Sequence, residues 1–192
     1  MAAERSDLWQ ALLSTGHELA TEADYEHGYR REIRSDLRRY VTFNIGPEIY
    51  GLPIDAIVEI AKPFDTTLVP RTPTFLVGIG NVRGLVMPVL DLPTRLRLGR
   101  AQMSREARVL IVRHEGEHFA LVVDRVLEVL PIAPEDLEEA PGGIGSARAE
   151  FIMAIGRDEG RLIIVLDLEN VLNVGPLIRA GLCGAGGEHG RI

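Results

Sequence analysis

The sequence predicts an all-β protein made of two small barrels of about five strands each, packed around a shared hydrophobic core. Two observations lead to this prediction. Short apolar runs are separated by frequent turns, which is typical of small barrels rather than of βαβ units. The pattern of the first half of the chain also recurs in the second half. Because neither half alone can bury much apolar surface, we expect the two to meet in one core.

The repeat is clearest in two pairs of segments. In the first pair, counterparts of similar character lie at a constant distance along the chain: Phe43, Tyr50, Asp55, Ile57, Glu59 and Ile60 correspond to Val112, Phe119, Asp124, Val126, Glu128 and Val129. In the second pair, residues 88–92 (P-V-L-D-L) correspond to residues 164–168 (I-V-L-D-L). The repeat predicts one domain over residues 39–174, with subdomains at about 39–98 and 99–174.

The strands of each half are predicted from apolar stretches that turns delimit. In the first half these stretches are 40–45, 49–54, 57–60, 74–80 and 85–92, with a loop rich in proline and threonine at 62–73. In the second half they are 109–112, 119–123, 124–131, 151–155 and 161–168, with a polar loop at 133–145. A short helix or turn at 93–98 and a short helix at 169–174 are predicted to close the two halves.

Residues 1–38 are predicted to form a helical extension before this domain. Apolar residues recur there at helical spacing in two groups, Leu8, Trp9, Leu12 and Leu13, and then Tyr25, Tyr29, Ile33 and Leu37. One long helix or two shorter ones fit this pattern. The extension is interpreted either as an arm that packs on its own domain or is partly disordered, or as a docking or dimerising helix. The Gly-rich residues 175–192 are predicted to be a frayed tail.

The stretch 77–92 is predicted to form a β-hairpin. Two apolar runs flank a turn led by Asn81 and followed by Gly84, and both residue types tolerate positive φ. Arg83 is then a lone cation beside the turn, and we expect its charge to face water or a partner. Pro88 has no N–H to donate, so its strand is predicted to be an edge or to be bulged at that point.

Three carboxylates in the strands have different predicted roles. Asp91 and Asp167 each follow a strand and precede a short helix, so they are predicted to cap backbone N–H groups rather than to form a catalytic pair. Glu59 lies within an apolar strand, where a carboxylate beside exposed aliphatic side chains suits protein recognition. An ordinary outward-facing glutamate is the other interpretation of Glu59.

Composition narrows the class of protein. The net charge of −7 argues against nucleic acid as the main partner, because phosphate binding needs a basic face. Cys183 is the only cysteine, which excludes an intrachain disulfide and fits a reducing compartment. The first residues show no apolar signal core and the apolar runs are short, so we expect a cytoplasmic protein that does not insert into a membrane.

No catalytic, nucleotide or metal motif emerges from the sequence. Gly78, Gly80 and Gly84 have the wrong spacing for a dinucleotide loop, and no long helix follows them. His114 and His118 are four residues apart but flank a predicted strand turn, where solvated side chains are expected rather than a zinc or nickel site. We therefore expect no cofactor. An enzyme or metal-binding protein of small-barrel fold is retained as an alternative class.

The chain resembles the CheW-like domain family of bacterial chemotaxis adaptors over residues 39–174. The motif that carries the resemblance is N-x-R-G-x-x-x-P-V-x-D-L at residues 81–92. Further matches are Y-G-L at 50–52, V-E-I at 58–60, T-P-x-F at 72–75, V-V-D-x-V at 122–126 and L-I-I-V-L-D-L at 162–168. The resemblance implies two five-stranded SH3-like barrels around a shared core, and no catalysis.

The resemblance also implies partners and contact residues. It implies an adaptor that couples chemoreceptors to the histidine kinase CheA, whose regulatory domain is itself CheW-like. Other CheW-like domains of a membrane-associated receptor array are further expected partners. The positions that match the family's receptor contacts are Ile57, Glu59, Arg83 and Val126. Those that match its kinase contacts are Lys62, Val69, Phe75, Gly78 and Gly84.

Two departures from the family pattern leave the pathway open. Ala61 stands where a basic residue commonly follows the Glu-Ile pair, with Lys62 next. The first 38 residues have no counterpart in a minimal member of the family. The alternative function is therefore an interaction module of the same fold in a non-flagellar chemosensory pathway, such as gliding motility or development.

Overall fold

The structure is a computed structural model that describes residues 37–139 and 148–173. The predicted helical extension lies outside the described residues except for its last two positions. The predicted tail at 175–192 lies outside them as well. Residue 38 already belongs to the first strand, because Arg38 pairs with Ile132 of a neighbouring strand.

Twelve strands and two short helices make up the described part of the chain, together with three single turns of 3-10 helix. The strands are β1 (Arg38–Ile45), β2 (Glu48–Pro53), β3 (Ile57–Ala61), β4 (Thr66–Thr67), β5 (Leu76–Val82), β6 (Leu85–Asp91), β7 (Arg108–His114), β8 (Glu117–Val123), β9 (Arg125–Ile132), β10 (Leu137–Glu139), β11 (Ile152–Asp158) and β12 (Arg161–Leu166). The helices are α1 (Leu92–Arg95) and α2 (Leu168–Leu172). None of these helices is long and apolar enough to cross a membrane.

The strands form two six-stranded sheets. Sheet 1 has the order β3-β7-β8-β6-β5-β4, and sheet 2 has the order β10-β11-β12-β2-β1-β9. The predicted number of about five strands in each barrel is therefore one fewer than the six strands of each sheet. The short strands β4 and β10, each at an edge, supply the difference, and both lie in stretches that the sequence analysis assigned to polar loops.

Each sheet takes strands from both halves of the sequence. β7 and β8 of the second half join sheet 1 through the parallel pair β6–β8, and β1 and β2 of the first half join sheet 2 through the parallel pair β2–β12. This exchange of strand pairs ties the two halves together in one domain.

The core has three parts because the central strands of each sheet are buried on both faces. In β8, Leu121 and Val123 point into a cluster shared by the two sheets, whereas Ala120 and Val122 point into a smaller cluster of sheet 1. Sheet 2 has its own small cluster around Tyr40 and Ile163. Burial on both faces explains why these strands are nearly continuous apolar runs.

Both short helices begin at an aspartate. The Asp91 carboxylate accepts a hydrogen bond from the Thr94 backbone N–H at 2.9 Å, and Asp167 accepts one from the Asn170 N–H at 3.1 Å. They have the capping role that the sequence suggests. Pro88 lies one residue before the β6–β8 ladder begins at Val89, so its missing N–H falls where β6 pairs only with β5.

Candidate protein-interaction site

The β5–β6 hairpin closes with a two-residue turn at Arg83 and Gly84. Both residues have positive φ, 52° and 87°, which is the pattern of a type I′ turn. The Asn81 side-chain oxygen accepts a hydrogen bond from the Gly84 N–H at 3.0 Å, which braces the turn. Arg83 is therefore presented at the tip of a rigid hairpin, in a backbone conformation that a non-glycine residue seldom adopts.

Arg83 forms an ion pair with Glu59 of β3. The guanidinium Nη2 donates to the Glu59 carboxylate at 2.8 Å, and the two side chains are 78% and 31% exposed. The prediction of a lone cation is therefore wrong, because the partner lies 24 residues earlier in the chain. An ion pair this exposed adds little to stability. Arg83 has guanidinium donors besides the one that binds Glu59, and these can orient a partner.

Strand β3, which supplies Glu59, and strand β6, which follows the Arg83 turn, also expose aliphatic side chains. Val58 and Ile60 on β3 are 51% and 44% exposed, and Val86 on β6 is 64% exposed. Glu59 lies on the opposite side of β3 from Val58 and Ile60. The charged pair and the exposed Val58 and Ile60 side chains therefore lie on different sides of β3.

The other two predicted receptor residues lie at the shared core. Ile57 on β3 pairs with Val112, and Val126 on β9 pairs with Phe43. Both are half-buried and pack against the cluster shared by the two sheets. The structure thus joins Glu59 to Arg83 directly, and places Ile57 and Val126 on the same cluster from different sheets.

The loop 62–73 is held against sheet 1 by two glycines of β5. A Cβ on Gly78 would lie 2.4 Å from the Thr67 carbonyl oxygen, so only glycine lets β4 approach this closely. A Cβ on Gly80 would lie 2.2 Å from the Phe64 ring. Sequence analysis missed Phe64, which fills the space that Gly80 leaves. An aromatic residue inside a polar loop was the available signal.

The predicted kinase residues have different surroundings. Lys62 is exposed, and Val69 is half-buried with its carbonyl accepting a hydrogen bond from the Thr72 hydroxyl at 2.9 Å. Gly84 has open space around it. Phe75 instead packs against the shared core and lies under the Arg95 guanidinium, 4.8 Å from ring centroid to Cζ. Arg95 is a second residue that sequence analysis missed.

His114 and His118 lie at the β7–β8 hairpin. Their opposite residues in the strand register are Glu117 and Arg113, respectively. Within residues 37–139 and 148–173, no group of three or more histidine, cysteine, aspartate or glutamate side chains is arranged to hold a metal ion.

Comparison with known proteins identifies the family. The family model described as "CheW-like domain" matches residues 39–175. The chemotaxis protein CheW of Helicobacter pylori is 32% identical over 145 residues, which cover 76% of this chain and 87% of that protein. Protein FrzA of Myxococcus xanthus is 32% identical over 143 residues, covering 74% and 86% respectively.

A solved structure agrees in fold as well as in sequence. The crystal structure of the scaffolding protein TtCheW from Thermoanaerobacter tengcongensis is similar with a TM-score of 0.67 and 33% identity, and covers 72% of this chain and 94% of its own. The predictions of family and of a non-catalytic chemotaxis adaptor are confirmed. The chain belongs to the CheW-like domain family of chemotaxis scaffold proteins.

Proposed function

We propose that this chemotaxis scaffold, which couples chemoreceptors to the histidine kinase CheA, binds the receptor tip through the Glu59–Arg83 pair together with Ile57 and Val126. The kinase's regulatory domain binds sheet 1 around the loop 62–73 and the β5–β6 hairpin. Other CheW-like domains are further partners. The scaffold works in the cytoplasm, at membrane-associated receptor arrays. Each sheet with its small apolar cluster is interpreted as one SH3-like barrel.

The observation that carries the receptor assignment is an exposed ion pair on a rigid hairpin. The pair contributes little to folding, so an arginine in a costly backbone conformation suits recognition better than stability. Ile57, on the same side of β3 as Glu59, and Val126 supply apolar contact area, while the charges set orientation and choice of partner.

The anchored loop supports the kinase assignment. Gly78 and Gly80 let β4 and Phe64 sit directly on β5, so the loop 62–73 is ordered before any partner arrives. A preformed surface loses less conformational entropy on binding than a flexible one. Leu68 in this loop is 79% exposed and offers an apolar contact.

The test measures binding of the full chain to two purified partners, a receptor cytoplasmic-tip fragment and the CheA regulatory domain. We expect Arg83→Glu to weaken receptor binding by about tenfold to a hundredfold, because it puts a second carboxylate beside Glu59. The matched control is Arg113→Glu, which reverses an exposed arginine on β7. Equal affinity of wild type and Arg83→Glu for the receptor tip would overturn the site assignment.

A further inference from the structure

The Arg95 side chain joins four segments of the protein. Its guanidinium lies between the rings of Phe75 and Phe151, with Cζ 4.8 and 4.7 Å from the two centroids. Its Nε donates to the Val171 carbonyl at 2.9 Å, and its Nη2 donates to the carbonyls of Asn170 and Asn173 at 2.8 Å each. These carbonyls are at the C-terminal end of α2, where cations are favourable.

The two aromatic rings are counterparts in the repeat. Phe75 and Phe151 have the same spacing along the chain as Pro88 and Ile164, and each accepts a backbone hydrogen bond at 2.8 Å from the N–H of a capping aspartate, Asp91 or Asp167. The Arg95 guanidinium is therefore almost equally far from two rings that occupy equivalent positions in the repeat.

The repeat matches the two rings but not the arginine. Val171, which is fully buried, is the counterpart of Arg95. One arginine therefore contacts both halves. It comes from α1, which follows β6 of sheet 1, and its acceptors are in α2 and at the C-cap of α2, which follows β12 of sheet 2. Burial lowers the pKa of Arg95, but arginine stays charged at physiological pH.

We propose that Arg95 is a positioning residue that holds the two sheets in one relative orientation and thereby aligns the receptor-binding residues on them. The inference rests on the proposed function, in which Glu59 and Arg83 act from sheet 1 and Val126 acts from sheet 2. A planar guanidinium can stack on two rings while its edge donates to carbonyls. A lysine ammonium cannot do both. The neighbouring Arg97–Glu150 pair is longer, at 3.7 Å, and exposed.

The orientation is tested without any partner. Spin labels are attached to the cysteines of an Arg113→Cys (sheet 1) and Met153→Cys (sheet 2) double variant, in which Cys183→Ser removes the native thiol. The distance between the two labels is measured by pulsed electron resonance. We expect one narrow distribution in the wild type and in Arg97→Met, and a broadened or shifted one in Arg95→Met. If circular dichroism shows that Arg95→Met does not fold, Arg95→Lys is the test variant, and we expect a broadened or shifted distance distribution in it as well. A distribution unchanged in the deciding variant would overturn the proposal.

The link to function is tested by binding at a temperature where every variant is folded. We expect Arg95→Met to weaken binding of the receptor tip by about fivefold or more, because that site spans both sheets. Binding of the CheA regulatory domain to sheet 1 should change by less than about twofold. A parallel loss of both affinities would show a merely structural role and contradict the proposal. If the wild type binds neither partner, the proposed function fails while the distance measurement still decides the role of Arg95.

Discussion

In the β5–β6 hairpin the turn residue before glycine is Arg83, whereas in the β11–β12 hairpin the corresponding residue is Glu159. Both have positive φ, 52° and 46°, and both precede a glycine with positive φ. The repeat therefore preserves the backbone of the turn and reverses the charge at its tip. Any partner that docks at one hairpin meets the opposite charge at the other.

The ion pairs beside the two hairpins also differ between the halves. Glu128 is the counterpart of Glu59, and it also binds an arginine, Arg161, at 3.1 Å. Arg161 lies on β12 rather than in the turn and also contacts Asp158. Hydrogen bonds from Arg161 to Asp158 and Glu128 raise the pKa of Arg161. The second pair is thus satisfied within the protein, and the first leaves its arginine exposed for a partner.

The largest difference between the halves is expected at Gly78, whose counterpart is Ala154. Gly78→Ala should lower the free energy of unfolding by about 2–4 kcal/mol, because φ is 155° and the new Cβ would meet the Thr67 carbonyl. The reverse change, Ala154→Gly, should cost about 1 kcal/mol. Urea denaturation measures both. Equal losses in the two variants would mean that the halves constrain this position alike.

The charge contrast is tested by exchanging the two residues of the Glu59–Arg83 ion pair. The double variant Glu59→Arg with Arg83→Glu restores an ion pair, but we expect receptor-tip affinity to stay about tenfold below wild type, because the partner reads the sign at the hairpin tip. Arg161→Glu should leave this affinity unchanged and lower the melting temperature, since it places a third carboxylate beside Asp158 and Glu128. Titration calorimetry and thermal melting separate the two effects. Recovery of binding in the double variant would show that only the pair's presence matters.

The register shifts in the β1–β9 and β3–β7 pairs are related by the repeat but differ in side-chain hydrogen bonding. In sheet 2 the register shifts next to Thr42, whose buried hydroxyl donates to the Glu128 carbonyl at 2.8 Å and accepts from the Glu128 N–H at 3.3 Å. In sheet 1 the corresponding residue is Ile111, which has no hydroxyl. Thr42→Val should cost about 1 kcal/mol and speed hydrogen exchange of the Glu128 amide. Unchanged protection of that amide would contradict this role of Thr42.

The smallest expected effect is at Tyr50, the counterpart of Phe119. The Tyr50 hydroxyl donates to the Glu48 carboxylate at 2.7 Å, and burial followed by this contact raises the tyrosine pKa. Above about pH 10 the unfolded chain loses this proton before the folded chain does, so stability falls as pH rises. Tyr50→Phe should cost less than about 1 kcal/mol at neutral pH and make that alkaline loss shallower. An identical alkaline slope in both proteins would exclude Tyr50 as its source.

Several local features of the site could be predicted from the sequence. Asn81 and Gly84 predict the hairpin, because few residues tolerate the φ values of its turn. The aspartates at strand ends predict the helix caps, since the groups they bind are three residues away. The motif around Arg83, with the shorter matches across residues 39–174, indicated the family.

The features that could not be predicted depend on residues far apart in sequence. Three contacts join separate segments. They are the Glu59–Arg83 ion pair, the packing of Phe64 on Gly80, and the contact of Arg95 with Phe75 and Phe151. The short strands β4 and β10 were missed for a related reason, because a two- or three-residue strand forms only where a neighbouring strand offers a free edge.

The sequence by itself determined the turns and the caps, because each depends on residues within a few positions of one another. It also revealed the repeat, because matching patterns can be compared without knowing the fold. Only the tertiary structure decided which sheet each strand joins. The apolar pattern of β8 does not specify its neighbours, and the parallel pair with β6 places it in sheet 1. The groups around Arg95 also come from both halves, and only the tertiary structure shows this, because hydrophobic burial is non-directional and side-chain packing selects which segments meet.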